Sequence, residues 1–468
     1  MTSTEPRANP GTFVPSDGRG EPTLARRLGP FDATMIVMGG IIGAGIFVNP
    51  SVVARQVHTP GLVLGAWMIG GAIALIGAFV YAELAALRPR VGGQYAYLRD
   101  AYHPIVAFLY GWTLLLVVQT GGMAGAAIIF GRYLRELSGL GISEQAAAAL
   151  TLGVLTLVNC LGVRAGSNVQ SALMITKLAA ILGLIGVGLF LSPAVAPATL
   201  VAPTTTGSGG LAGLATAMVP VLFAYGGWQT SSFVSGEMKN PRRDLPRGLL
   251  IGVIAVIVLY LSVTFVCLRS LGVDGLAATS TPASEVMRRA LGDRGARLIA
   301  LGIAVSTVGF LSQSVLTAPR VYYAMARDGV FFKAVGTLNP KSRVPVVAIV
   351  LQGVWAAIIA LTGKYDQILN YVEAIDVLFF GLTGASLIIF RMRARGTGQD
   401  EDRTRVPLHP FTTGVFVLAC WLISLTTVVR YPAHAGVGFG ILLVGVAVYF
   451  LWARKTAIRS ESDPERAV

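Results

Sequence analysis

The residues best placed to do chemistry in this chain of 468 residues sit inside runs that are otherwise apolar. Gly39-Gly40-Ile41-Ile42-Gly43-Ala44-Gly45-Ile46-Phe47 sets four glycines within one such run, each weakening a helix by roughly 1 kcal/mol relative to Ala. Phe223-Ala224-Tyr225-Gly226-Gly227-Trp228, with Pro220 upstream, is a second interruption of the same kind. Unwound backbone at membrane depth is tolerated only where it is buried in protein or lines a cavity. The N–H groups that open a half-helix carry partial positive charge and suit a carboxylate. Carbonyls freed at the end of the other half-helix suit an ammonium. A broken helix therefore offers partners to both ends of an amino-acid zwitterion. Taken alone, the first run also fits a small-xxx-small packing motif. The second break favours a binding site, because interrupted spans at corresponding positions of two halves point to the site of a transporter.

Lys177, within Ile175-Thr176-Lys177-Leu178, is the third feature. It lies roughly 12 Å into its apolar run at 1.5 Å per residue. A buried ammonium there is unfavourable by at least about 2.5–3.5 kcal/mol, which makes it a functional residue by default. Snorkelling toward water is the other reading. Among the acids, Glu83 falls near the end of its run, where pairing with Arg88 or a neighbouring loop is expected. Glu373 and Asp376 fall inside a run and could recognise a cation, relay a proton or pair with loop arginines. Glu237 and Lys239-Asn240-Pro241-Arg242-Arg243-Asp244 read as a gate or structural loop. Trp228 and Tyr225 are candidates to line the cavity, and Trp112 fits packing equally well.

The elements that must carry these residues follow from composition. The chain is 54% apolar and only 13% charged, against about 25% charge in soluble domains. Continuous apolar runs exclude a membrane β-barrel, whose strands alternate. Twelve runs can be marked: 32–57, 61–87, 104–131, 146–164, 169–191, 211–235, 247–270, 297–324, 345–363, 367–390, 411–430 and 436–453. An all-α polytopic membrane protein with twelve transmembrane helices is expected. An even number puts both termini on one side. Lys and Arg favour that side by more than two to one, which places both termini in the cytoplasm. The 271–296 loop breaks the trend and resembles a folded outer segment, with Ser284–Leu291 as a short helix. The net charge of +14 is spread between apolar runs rather than clustered, so it does not indicate nucleic acid. Cys160, Cys267 and Cys420 lie in apolar runs without metal spacing. The first 25 residues have no signal-peptide core. The four histidines are scattered, and there is no nucleophile–base spacing or phosphate-cradling loop. An enzyme and an ATP-driven pump are thereby disfavoured, and no cofactor is expected.

At this point the motifs coincide in order with a known family. Gly40–Phe47, Tyr81-Ala82-Glu83-Leu84, Gly92-Gly93-Gln94-Tyr95-Ala96-Tyr97-Leu98, Phe223–Trp228, Gly236-Glu237-Met238-Lys239-Asn240-Pro241, Asp244-Leu245-Pro246-Arg247 and Arg320-Val321-Tyr322-Tyr323-Ala324-Met325-Ala326-Arg327-Asp328-Gly329 carry the match. Over residues 28–455 the chain resembles the amino acid–polyamine–organocation superfamily of the LeuT fold, in its sodium-independent L-type and basic amino-acid transporter-like branch. The resemblance implies two inverted repeats of five helices, 31–192 and 211–392, then two further helices in 410–454. Tails of 1–30 (disordered) and 455–468 would lie in the cytoplasm. It implies alternating access of a bundle (spans 1, 2, 6 and 7) against a scaffold (spans 3, 4, 8 and 9). The substrate carboxylate would meet the amides of Gly43, Ala44 and Gly45. The amino group would meet carbonyls around Ile41, Ile42, Phe223, Ala224 and Gly226, with Phe223 as aromatic gate and Trp228 beside it. Ala44 stands where relatives often have Ser, and Gln229 where many have Asn. Lys177, between Gly40 and Ser312, would replace the sodium ion of coupled relatives. That favours exchange or proton coupling.

The implied function is secondary active transport of amino acids, neutral or broad in range, because the break motifs themselves hold no acid. A cationic amino-acid or polyamine antiporter is the alternative, and an amino-acid sensor reusing the fold is the rival class. The 138–145 loop has no cysteine, so no disulfide-linked heavy chain is expected; a monomer or weak homodimer in the plasma or inner membrane is.

Overall fold

The computed structural model describes residues 28–88, 92–139, 141–160, 166–195, 211–339, 344–394 and 404–461. The expected tails lie largely outside these residues, and the last helix runs on to Glu461.

The chain begins with α1 (Pro30–Ile41), a single 3₁₀ turn (Gly45–Phe47) and α2 (Asn49–Val57). The first apolar run is thus two half-helices with unwound backbone between them. Then come α3 (Pro60–Leu87), α4 (Gln94–Ala101), α5 (Pro104–Thr113), α6 (Gln119–Ser138), α7 (Glu144–Cys160) and α8 (Gly166–Phe190). A π turn, Leu114–Val118, joins α5 to α6 without a break. The Thr120 hydroxyl donates to the Leu115 carbonyl at 2.7 Å across it. The second interrupted run is α9 (Leu211–Tyr225), followed by 3₁₀ backbone over Trp228–Glu237. Next are α10 (Pro241–Ala278), α11 (Pro282–Thr317), α12 (Pro319–Arg327), α13 (Val346–Thr362), α14 (Tyr365–Ala394), α15 (Phe411–Arg430) and α16 (Pro432–Glu461). Gly292, at φ +67, separates a short helix at the start of α11 from the long one, so Ser284–Leu291 is helical as expected. Proline opens α3, α5, α10, α11 and α12, where its missing N–H is harmless and its fixed φ suits the first turn.

Eight helices among the described residues are long and apolar enough to cross a membrane. They fall on eight of the twelve runs read from sequence. The other four runs hold the two interrupted helices and the shorter α7 and α13, of 17 residues each. The described residues are nearly all helical, as in a polytopic membrane protein. Large apolar side chains stand exposed at helical spacing: Leu150, Val154 and Leu157 on α7, Ile251, Ile254 and Val258 on α10, Leu418, Leu422 and Leu425 on α15. In water such faces would be untenable; against lipid they are at no disadvantage.

Two groups of helices pack internally. In one, α3 lies along α10, α10 along α1, and α2 and α3 along α9. In the other, α7 lies against α13 and α6, and α6 against α11. α14 touches members of both, and α15 and α16 cover its outer side. The two interruptions meet where these groups face each other. Gly227 has φ +105, and a Cβ there would collide with the Gly40 carbonyl; a Cβ on Gly40 would lie 2.7 Å from the Gly227 carbonyl. Backbone touches backbone, so both positions require glycine.

Gly227→Ala combines a forbidden φ with that collision, and a loss of about 2 kcal/mol or more is expected. Gly61→Ala has open space around it and serves as the comparison. Thermal unfolding in detergent should show a lowered midpoint for the first only.

Candidate functional site

α1 stops because Ile42 leaves helical geometry (ψ 85), after which the Gly43 amide turns back onto the Ile41 carbonyl at 2.8 Å. The amides of Ala44, Gly45 and Ile46 then head the second half-helix with no backbone acceptor among the described residues. α9 stops at Tyr225; the Gly226 amide bonds the Leu222 carbonyl at 2.7 Å, and the Gly227 amide is diverted to Gln229 Oε1 at 2.8 Å. The carbonyls of Phe223, Ala224 and Tyr225 are left without an amide donor among the described residues. Helix ends leave such groups unpaired by construction. Here donors from one break and acceptors from the other are brought to one place.

That place is a cavity of about 80 Å³, room for several waters at 10–15 Å³ each. Its walls are Gly40, Ile41, Gly43, Ala44 and Gly45 from the first break and Phe223, Ala224, Gly226, Gly227, Gln229 and Thr230 from the second. Gln119 and Gly122 of α6, Phe310, Gln313 and Thr317 of α11, and Glu373 and Asp376 of α14 complete it. Among the described residues no Lys, Arg or His is in the lining. At one end Phe223 meets the Tyr365 ring edge-on, with centroids 6.2 Å apart. The Tyr365 hydroxyl donates to Asn49 Oδ1 at 2.9 Å, and Asn49 Nδ2 donates to the Pro220 carbonyl at 2.7 Å. This chain of contacts joins α14, α2 and α9 over the cavity.

Lys177 is 1% exposed, and its ammonium points into the protein. Nζ donates to the carbonyls of Gly39 (3.1 Å) and Ile42 (2.6 Å). Snorkelling is therefore not what the side chain does. Gly40 lies between its two acceptors, whereas Ser312 is not a partner; on α11 the stem passes Gly309, where an added Cβ would sit 3.3 Å from Lys177 Cε.

The structure changes three details of the sequence reading. The Ile42 carbonyl is taken by Lys177 and Ile42 does not line the cavity. The Ile41 carbonyl accepts from the Tyr260 hydroxyl at 2.9 Å. The acceptors left for an ammonium are then those of the second break. Trp228 also faces away: it stacks on Phe380 (5.1 Å) and meets Tyr81 edge-on (4.6 Å), and with Tyr225 it lines a smaller neighbouring cavity. Trp112 packs rather than binds, donating to the Ile441 carbonyl of α16 at 2.9 Å. The reading from residues passed over Gln119, Phe310, Gln313 and Thr317. For Gln119 a signal existed, since it is an amide in an apolar run, immediately after the π turn, a device frequent at functional sites.

Around the other end of the two breaks lie the charged contacts. Glu237 pairs with Arg320 at 3.1 Å. The Leu28 amide donates to the Glu237 carbonyl at 3.0 Å, and the Lys239 amide donates to the Leu28 carbonyl at 2.8 Å. In α4, the Tyr95 hydroxyl donates to Asp328 at 2.8 Å; burial and then that carboxylate push the phenol pKa up. Glu83 binds Arg391 through both oxygens, at 2.6 and 2.7 Å, and accepts from the Val406 amide at 2.7 Å. Its partner is Arg391, not Arg88, which lies over the Phe390 ring at 5.2 Å.

Residues 28–452 match the family model for amino acid permeases. The chain is 30% identical over 462 residues to the large neutral amino acids transporter small subunit 2 of Mus musculus, covering 94% of this chain and 84% of that protein. It is 29% identical over 442 residues to the serine/threonine exchanger SteT of Bacillus subtilis (strain 168), covering 93% and 98%. It is 27% identical over 459 residues to the human (Homo sapiens) cystine/glutamate transporter, covering 94% and 90%.

The Glu83 pairing gives a stability test. Glu83→Gln removes a charge that holds both a guanidinium and an amide, and a loss of about 2 kcal/mol is expected. Arg88→Ala should change the thermal midpoint little; equal losses for the two variants would contradict the assignment of Arg391 as partner.

Proposed function

We propose, from the premise that the chain belongs to the amino acid permease family, that it is a sodium-independent secondary transporter moving amino acids by alternating access, as an exchanger or with a proton. The observation that carries this is the meeting of two interrupted helices at one cavity, with free amides at Ala44–Ile46 and free carbonyls at Phe223–Tyr225. The amides would take the substrate carboxylate and the carbonyls its ammonium, with Phe223 closing over it. Relatives named as transporters and as an exchanger support carriage rather than catalysis. Lys177 supplies a fixed cation on the first break, in the region where a sodium ion would bind in coupled relatives.

The same reading extends to architecture. The eight long helices plus α7, α13 and the two interrupted runs make twelve spans, arranged as repeats over 31–192 and 211–392 with two more helices in 410–454. The α1–α3–α9–α10 group would rock against the α6–α7–α11–α13 group. The bias of Lys and Arg supports cytoplasmic termini in a plasma or inner membrane. Without a cysteine in 138–145, no disulfide-linked heavy chain is proposed, and the working unit is a monomer or weak homodimer. No cofactor or metal enters the mechanism. A sensor reusing the fold is the competing reading, and transport itself separates the two.

Two outcomes test this. The purified chain in liposomes should take up labelled amino acid when loaded with unlabelled amino acid, at equal rates in sodium and choline buffers; strict sodium dependence would sink the role given to Lys177. Lys177→Ala should insert normally yet carry substrate at about one tenth of the rate or less, as expected when about 1.4 kcal/mol or more is lost. Unchanged uptake would leave Lys177 without a role.

A further inference from the structure

The acids of α14 stand apart from the two breaks. Glu373 and Asp376 are 3% and 8% exposed, stand three residues apart on one face of α14, and both line the cavity. Neither carboxylate has a hydrogen-bond or ion-pair partner among the described residues. Two of the cations described above are engaged elsewhere: Lys177 by Gly39 and Ile42, Arg391 by Glu83. Carboxyl groups taken out of water are strongly unfavourable unless neutralised or paired. Two of them kept in one wall, with no Lys, Arg or His among the described lining residues, leave a place for positive charge that the described residues do not fill.

Two other side chains of the wall suit the same occupant. Gln119, 9% exposed, lines the cavity, and its side-chain amide has no hydrogen-bond partner among the described residues, so its oxygen can accept from a donor-rich group. Phe310 contributes an aromatic ring, whose face attracts cations. We propose that Glu373 and Asp376, with Gln119, form a subsite for a cationic side chain, so that the substrates of this carrier include amino acids bearing a second amino or a guanidinium group. This rests on the cavity being the amino-acid site proposed above. The break motifs hold the α-carboxylate and α-ammonium common to all amino acids, and the α14 acids then receive the end of the side chain. A guanidinium, planar and rich in donors, matches two carboxylates better than a single ammonium does.

The test uses the full chain in liposomes, with labelled arginine and labelled alanine as probes, first at equal pH on both sides and then with an inward proton gradient. The wild type should carry arginine, with lysine and ornithine competing. Asp376→Asn and Glu373→Gln should each lower the ratio of arginine to alanine uptake at least tenfold. Thermal shift of detergent-purified protein should move in parallel, with arginine stabilising the wild type more than either variant, so that poor reconstitution does not decide the result. Alanine carried with no arginine transport or competition overturns the subsite, as does an unchanged ratio in both variants. Neutral uptake that needs an inward proton gradient, with that need lost in the variants and arginine never carried, overturns it in favour of a proton site. If no amino acid is carried or bound, the transporter reading fails and the subsite with it.

Discussion

An ammonium inside an apolar bundle must find acceptors, and Lys177 finds them only because α1 ends where it does. In an intact helix the Gly39 and Ile42 carbonyls would be spent on amides four residues on. By unwinding after Ile41, the first span releases them, and Lys177 and Tyr260 take up the carbonyls of Gly39, Ile41 and Ile42. The amides beyond the break have nothing comparable to bond and face the cavity. The lysine thus fixes the polarity of the site: acceptors at the first break are consumed from behind, and donors remain in front.

The second break supplies what the first lacks. Its carbonyls at Phe223, Ala224 and Tyr225 are free because the next amides are diverted, that of Gly227 to the Gln229 side chain. The two breaks can complement one another only at very short range. Glycine at 40 and 227 gives that range, with backbone of one against backbone of the other and no side chain between. Glycine is used there for thinness at position 40 and for both thinness and a positive φ at 227.

How much of this was legible follows from where the sequence departs from uniform hydrophobicity. Clustered glycines and a lysine stand out in an apolar run, so the two breaks and Lys177 could be read directly. Which way a side chain points could not. α3 and its neighbours are apolar on every face, and periodicity carries no direction when there is no polar face to contrast. Hence Trp228 and Ile42, sound by position, turn away from the cavity, while Glu373, Asp376 and Gln119 turn into it. The π turn before Gln119 shifts the phase of its helix, which no regular periodicity anticipates. The Glu83–Arg391 pair joins residues 308 apart in the chain; of the partners expected nearby, Arg88 is not one, while the loop before α15 does reach Glu83 through the Val406 amide.

The short backbone pairing at Leu28 has a mechanical consequence. Leu28 stands just before α1, and its amide and carbonyl are held by Glu237 and Lys239, just after the second interrupted run. With Gly40 against Gly227 further along, the two interrupted segments are fastened at two levels, like rungs between the rails of a ladder. A ladder tilts as one piece but does not shear while its rungs hold. Whatever displaces one broken helix must therefore carry the other with it, and the walls they share in the cavity move as one face.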